Sequence, residues 1–329
     1  MEIRNDLPGW LHRCTFPAFS VKENIITACN QSAEALLLSP GMDVRELLAT
    51  GEEAYAAFTG GCLYVKLKLS AKGCGASLTR EDGCDLFLLD QEPEEADLRS
   101  LSLAARELRN PLSNLMIAAE ALMQGAEQTP AIQEQLARLN RSLHQMHRLI
   151  NNMSDAGRSD LLTPSGIHDW SRVIHDIFEK ISTQLEGTNV RLTYEGLAQP
   201  VCGLVNVGQM ERAILNIVSN AVKFMPEGGT IHAQLIQKKN MLQLSIQDTG
   251  SGIADNILGN VFSRYQRQPG IEDNRYGIGL GMVLIRSAAA DHGGTVLIDC
   301  PEGTGTRVTM TLAIRQDVPV LKTPVIPPA

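Results

Sequence analysis

The stretch from Asn216 to Gly281 constrains this chain more than any other. It runs NIVSNAVKFMPEGGT, then DTGSGI, VFSRYQ and YGIGLGM, so that glycine-bearing clusters follow a segment offering two amides four residues apart. On a helix Asn216 and Asn220 share a face, with Lys223 about one turn further on. Amide carbonyls suit a hard cation such as Mg²⁺, which binds through few protein groups plus phosphates. A lysine can reach a phosphate as a point charge. In LQLSIQD, Leu242, Leu244 and Ile246 alternate with polar residues, which predicts a strand ending on Asp248. A carboxylate there can accept a hydrogen bond from an adenine amino group, while Gly250 and Gly252 let the backbone turn close to the ligand. Gly277, Gly279 and Gly281 precede the apolar run MVLI, so a flexible loop feeds a helix N-terminus, an anion site. Each glycine cluster alone reads better as a bland turn; all the elements in this order describe a nucleotide pocket.

With 329 residues the chain has room for two or three domains and a sizeable core. Its 43% hydrophobic and 20% charged content is that of an ordinary soluble protein. A net charge of −8 leaves no electrostatic footprint for nucleic acid. No uninterrupted apolar run reaches bilayer-crossing length, and MEIRNDLPGWLHRC lacks the apolar core of a signal peptide. A cytoplasmic location is expected, with neither nucleic acid nor membrane as partner. The seven cysteines show no CxxC spacing and read as buried free thiols; the seven histidines show no metal-motif spacing either.

Ahead of the pocket lie two further regions. Residues of about 7–92 alternate PAFSV and NIITACN as strands around a turn, SAEALL and VRELLATGEEAYAAF as short helices, then three strands. In the first of these, CLYVKLKLS, Leu63, Val65, Leu67 and Leu69 share one face. Trp10 and Tyr64 read equally as core or as ligand contacts. From about 94 to 156 two helices are predicted, acidic at the start as the helix dipole favours. Leu98, Leu101, Ala105, Leu108, Leu112, Leu115, Ala119 and Leu122 form an a/d stripe. A second stripe runs through Ile132, Leu136, Leu139, Leu143, Met146, Ile150 and Met153. Two short stripes in one hairpin leave apolar surface uncovered, and two copies would close a four-helix bundle, so a homodimer is expected. SDAGRSDLLTPSG reads as a polar hinge, and DWSRVIHDIFEKISTQL as an amphipathic helix with Trp170, Val173, Ile174, Ile177 and Ile181 inward and His168 and His175 at the surface. The proline-bearing tail RQDVPVLKTPVIPPA lacks periodicity.

Residues of about 165–314 resemble the ATP-binding domain of bacterial sensor histidine kinases, of the GHKL ATPase type. NIVSNAVKF looks like the family's N box, DTGSGI its G1 box, VFSRYQ its F box, partly kept as Phe262 and Tyr265, and GIGLGM its G2 box. The resemblance implies ATP and Mg²⁺ as cofactors: Asn220 and Asn216 would coordinate the metal, Lys223 contact ATP and Asp248 read adenine. Gly277, Gly279 and Gly281 would close over the phosphates, with Thr306 near the adenine. The expected fold class is α+β multidomain, with a PAS-like sensor over 1–93, a dimerising helical hairpin over 94–157, a linker over 158–165, a GHKL-type α/β sandwich over 166–314 and a Pro-rich tail over 315–329. The PAS resemblance rests on element order and position, and a purely structural cap or dimerisation module is the alternative.

SLAARELRNPLSNL is similar to the family's H box, with Glu107, Leu108, Arg109, Asn110, Pro111 and Leu112 fitting its pattern. Where the family places its phosphorylated histidine, this chain has Arg106. A guanidinium stays protonated at any working pH and cannot attack a γ-phosphate. Autophosphorylation at this position is therefore not expected. Glu107 and Asn110 match the family's phosphatase pair, in which the amide orients a water onto an aspartyl phosphate of a response regulator. The expectation is a degenerate kinase: a phosphatase for a response regulator, or an ATP-dependent partner of one or of another histidine kinase. The alternative is an active kinase that phosphorylates His147, His144 or a histidine of a partner.

Overall fold

The computed structural model describes residues 16–69, 74–81, 83–90, 108, 112–117, 119, 166–186, 188–254, 258, 261–262, 280–301 and 305–315. Trp10, Arg106, Glu107, Asn110, His144, His147, Tyr265, Gly277, Gly279, the linker 158–165 and the tail beyond 315 lie outside them.

Glu23 and Asn24 take left-handed φ values of 52° and 67°. This is the two-residue turn that matches the twist of paired strands, here β1 (Ala18–Lys22) and β2 (Ile25–Cys29). Asn30 follows, buried: its Oδ1 accepts from the backbone of Ala18 and Ala33, and its Nδ2 donates to Phe16 O at 2.7 Å. It thereby caps the short α1 (Gln31–Glu34) and pins it to the sheet. Next come α2 (Val44–Leu47), β3 (Leu48–Thr50) and α3 (Glu52–Ala56). The run expected as helices thus contains a short strand, held by pairing to β4 (Cys62–Leu67). β5 (Cys74–Glu81) and β6 (Cys84–Leu89) complete a meander, in the order β2-β1-β6-β5-β4.

The second half begins with β7 (Gly166–Asp169), which pairs with β9 (Cys202–Val205) in a small sheet of its own. Between them lie α4 (Trp170–Leu185) and β8 (Val190–Glu195). His168 therefore sits in β7, not on the helix, while His175 is on α4; both are exposed, as expected. α5 (Val207–Lys223), β10 (Gly229–Lys238), β11 (Met241–Asp248), α6 (Leu280–Asp291), β12 (Thr295–Asp299) and β13 (Arg307–Ala313) follow. The strands run in the order β12-β13-β11-β10-β8, antiparallel except for β10 against β8. The period-2 reading of β11 holds: Leu242, Leu244, Ile246 and Asp248 are buried in alternation. These residues share one core with Trp170, Ile174, Ile177, Phe178 and Ile181 of α4 and Met210, Ile214 and Ile217 of α5, an α/β sandwich.

The two halves are not separate bodies joined by a tether. β4 pairs antiparallel with β12, Tyr64 opposite Val296, Leu63 opposite Leu297 and Cys62 opposite Ile298, which makes one eleven-stranded sheet. Leu63, Val65 and Leu67 face the N-terminal core, with Leu69 packed at its margin, as the alternation predicts. The other face of β4 is covered as well, because Cys62 and Tyr64 enter the core of the second half. Gly61 has φ 90°, and a Cβ there would stand 2.4 Å from the carbonyl oxygen of Ile298, so the junction itself requires glycine.

In the intervening region residues 112–117 are helical; Leu112 and Ala119 are buried, Leu108, Leu115 and Ile117 exposed. Among the described residues no helix is long and apolar enough to cross a membrane.

Candidate nucleotide site

α5 buries Met210, Ala213, Ile214, Ile217, Val218 and Ala221 and leaves Asn216, Asn220 and Lys223 half-exposed on its other side. The four-residue and three-residue spacings thus deliver the shared face that the sequence predicts. Its N-terminus is doubly tied. Asn206 Oδ1 accepts from Gln209 N at 3.0 Å, and Asn206 N donates to Nε2 of the buried His292 at 3.1 Å. Asn216 Nδ2 donates to Arg212 O at 2.9 Å. Against Asn216 packs Gly281 at the start of α6: a Cβ on this glycine would lie 3.1 Å from Asn216 Oδ1. That glycine therefore sets how closely α6 approaches the amide.

At the end of β11, Asp248 is only 8% exposed. Its Oδ1 accepts two backbone hydrogen bonds, from Gly250 N at 2.8 Å and Thr306 N at 3.0 Å. Its own N–H donates to Thr306 O at 2.9 Å. Among the described residues Oδ2 takes no hydrogen bond, so one oxygen is fixed and the other is left as an acceptor. Burial pushes the Asp248 carboxyl above its usual range, and the Gly250 and Thr306 amides partly offset this. Gly305, at φ 69°, lets the two strands meet here, since a Cβ would fall 2.0 Å from Asp248 O. Gly252, at φ 70°, supplies the turn after the strand. Gly250 adjoins the C-terminus of α5, where a Cβ would meet Phe224 O at 2.9 Å. This contact joins the Asp248 turn to the helix end that carries Lys223.

The structure thus brings Asp248, Gly250, Gly252 and Thr306 together at one strand end, and Asn216, Asn220, Lys223 and Gly281 along α5 and the start of α6. Phe262 is buried, its ring 5.6 Å from that of Tyr64. Gly305, His292 and Arg286 were not singled out from the sequence. Gly305 had a signal in the EGTGT turn before a strand; the other two depend on contacts with distant segments. Among the described residues no cluster of three or more His, Cys, Asp or Glu could hold a metal ion. The available metal donors are the two amides, a set that fits Mg²⁺ bound mainly through phosphate oxygens and water.

Comparison with known proteins gives two family matches. The "Histidine kinase-, DNA gyrase B-, and HSP90-like ATPase" family matches residues 206–316, and the "His Kinase A (phospho-acceptor) domain" family matches residues 98–161. Sensor histidine kinase WalK of Bacillus subtilis is 26% identical over 239 residues, which is 70% of this chain and 38% of that protein. Histidine protein kinase DivJ of Caulobacter vibrioides is 28% identical over 260 residues, 75% of this chain and 42% of that protein. The chain therefore spans less than half the length of these relatives. Among solved structures, full-length ShkA in complex with AMPPNP superposes with a TM-score of 0.50 at 20% identity, over 66% of this chain and 46% of that one. The two family matches together cover just over half of the chain and, with these relatives, support a two-component histidine kinase.

Proposed function

We propose that this protein is a signalling member of its family that binds Mg-ATP and does not phosphorylate itself at the usual position. The observation that carries the nucleotide reading is Asp248, with one oxygen pinned by two amides and the other open, at a turn that touches the C-terminal end of α5. Asp248 Oδ2 accepts the adenine amino group. Asn216 and Asn220 would hold Mg²⁺, Lys223 would contact the phosphates, and Gly277, Gly279 and Gly281 would close over them. The bound metal would neutralise phosphate charge. Thr306, through its backbone tie to Asp248, keeps the adenine end rigid.

Arg106, within the stretch matched by the phospho-acceptor family, is the reason for the second half of the proposal. A permanent cation offers no lone pair to a γ-phosphorus. Glu107 and Asn110 leave a phosphatase role towards a response regulator open to this chain. A homodimer through the hairpin is supported by the exposure of Leu108 and Leu115, one heptad apart, beside the buried Leu112 and Ala119. The N-terminal domain, residues 1–93, reads as PAS-like, supported by a sheet in which the hairpin β1–β2 lies beside the last strand of a β4–β5–β6 meander.

Titration calorimetry with Mg²⁺ and a non-hydrolysable ATP analogue tests the nucleotide reading. Saturable binding by the wild type, lost in Asn220→Ala, is expected; no binding by the wild type would sink it.

A further inference from the structure

Where β4 meets β12, four side chains from the two halves close around one another. Arg286, in the middle of α6, donates from Nη1 to Asp90 Oδ1 at 2.6 Å and to the backbone oxygen of Phe262 at 3.1 Å. Its guanidinium carbon sits 5.2 Å from the centroid of the Tyr64 ring. Tyr64 in turn donates from its hydroxyl to Asp90 Oδ2 at 3.0 Å, and its ring meets that of Phe262. Both oxygens of Asp90 are thus engaged, one by each half of the molecule. The ion pair is shielded, with 8% of the Arg286 side chain and 19% of the Asp90 side chain exposed. The space was made for it: a Cβ on Gly75 would fall 1.9 Å from the Tyr64 hydroxyl and 2.6 Å from Asp90 Oδ2.

The positions of these residues matter more than the contact itself. Asp90 directly follows β6, the last strand of the N-terminal domain, at the point where the chain leaves for the helical hairpin. Arg286 lies five residues beyond Gly281 on the same helix, about 7–8 Å along its axis. Gly281 is the residue packed against Asn216, a proposed Mg²⁺ ligand. One rigid helix therefore touches the N-terminal domain at Arg286 and the candidate metal ligand at Gly281. A buried, hydrogen-bonded ion pair resists sliding in a way that an apolar contact does not, because neither charge can leave its partner without being stranded.

We propose that the Asp90–Arg286 pair couples the N-terminal domain to nucleotide affinity through α6, with Arg286 a positioning residue that holds the start of the helix against Asn216. This rests on the nucleotide reading above and goes beyond it by naming the connection. Any change in the N-terminal sheet or at its exit that shifts Asp90 pulls on α6, and binding in turn favours one position of Asp90, since coupling between sites is reciprocal.

The test is calorimetry of the full chain with Mg²⁺ and adenylyl imidodiphosphate, for wild type, Asp90→Asn, Arg286→Gln and the double variant, with melting temperatures measured alongside. Each single variant is expected to weaken binding by about fivefold or more, and the double variant no further than the worse single one, as for two members of one link. Tyr64→Phe keeps the ring over Arg286 and loses only the hydroxyl bond to Asp90; it is expected to bind more weakly than wild type by a smaller factor and to fold if the charge variants do not. Unchanged affinity in Asp90→Asn and Tyr64→Phe, whatever their melting temperatures, overturns the coupling and leaves a purely structural clasp. Additive losses in the double variant also overturn it. A wild type that binds no nucleotide instead overturns the site itself, a result distinguishable from both.

Discussion

Asp248 shows how much one side chain can be asked to do. A buried carboxylate is costly unless its lone pairs are used, and here two amides use one oxygen and leave the other for a ligand. In Asp248→Asn the carboxamide keeps a carbonyl for Gly250 and Thr306 and turns its NH₂ towards the adenine amino group, donor against donor. Nucleotide affinity is predicted to fall about tenfold or more by calorimetry, the scale of a lost hydrogen bond to a charged group. Because burial raises the carboxyl above its usual range, the acceptor is lost at a higher pH than for an ordinary aspartate. Affinity should therefore decline as the pH falls into the acid range, and Asp248→Asn should lose that dependence. His292 makes the opposite case. Its Nε2 accepts from Asn206 and its Nδ1 faces Ala288 O at 2.7 Å, so only the neutral, Nδ1-protonated ring satisfies both. Burial holds its pKa below the ordinary 6.5. The unfolded chain takes up a proton near that value and the folded one does not. Stability is thus full above about pH 6.5 and is predicted to fall below it, read as melting temperature against pH; His292→Gln should flatten the slope. Asp248 was legible in the sequence because alternation carried it to a strand end. His292 was not, since its Nε2 partner is the cap of another helix, far away in sequence, and only Ala288, one turn back, is local.

At the scale of elements, the periodic patterns were read correctly wherever an element buries one face against neighbours that share its periodicity. β11 and the inner face of α4 are of this kind, although Phe178, which stacks on Tyr194 at 4.7 Å, was left out of the predicted face. The second buried face of β4 escaped because the second half covers it, joined edge-on through β12 more than 200 residues away, and no local pattern announces that partner. The same strand pairing closes what would otherwise be an open edge of the larger sheet. Gly61 is the hinge of this joint. Gly61→Ala forces a side chain into a left-handed φ and onto the Ile298 carbonyl, and is predicted to cost about 1–3 kcal/mol in denaturant unfolding. Asn206→Ala removes the side-chain cap of α5 and should cost about 1–2 kcal/mol in the same measurement.

For the whole molecule, a phospho-acceptor region followed by an ATPase domain was legible because the ATPase motifs occur in one order behind the H-box-like stretch. The union of the two halves into one sheet was not, since it depends on surfaces that meet only after each half has folded. The central claim joins a proposed ATP site to a phospho-acceptor stretch in which Arg106 stands where the histidine is expected. Its most direct test is incubation of the purified chain with γ-labelled Mg-ATP, with Asn220→Ala as the blank and Arg106→His alongside. Nucleotide binding without acid-labile label in the wild type, and label gained in Arg106→His, is the predicted result. Acid-labile label on the wild type, abolished in His147→Ala or His144→Ala, would contradict it and establish a relocated acceptor.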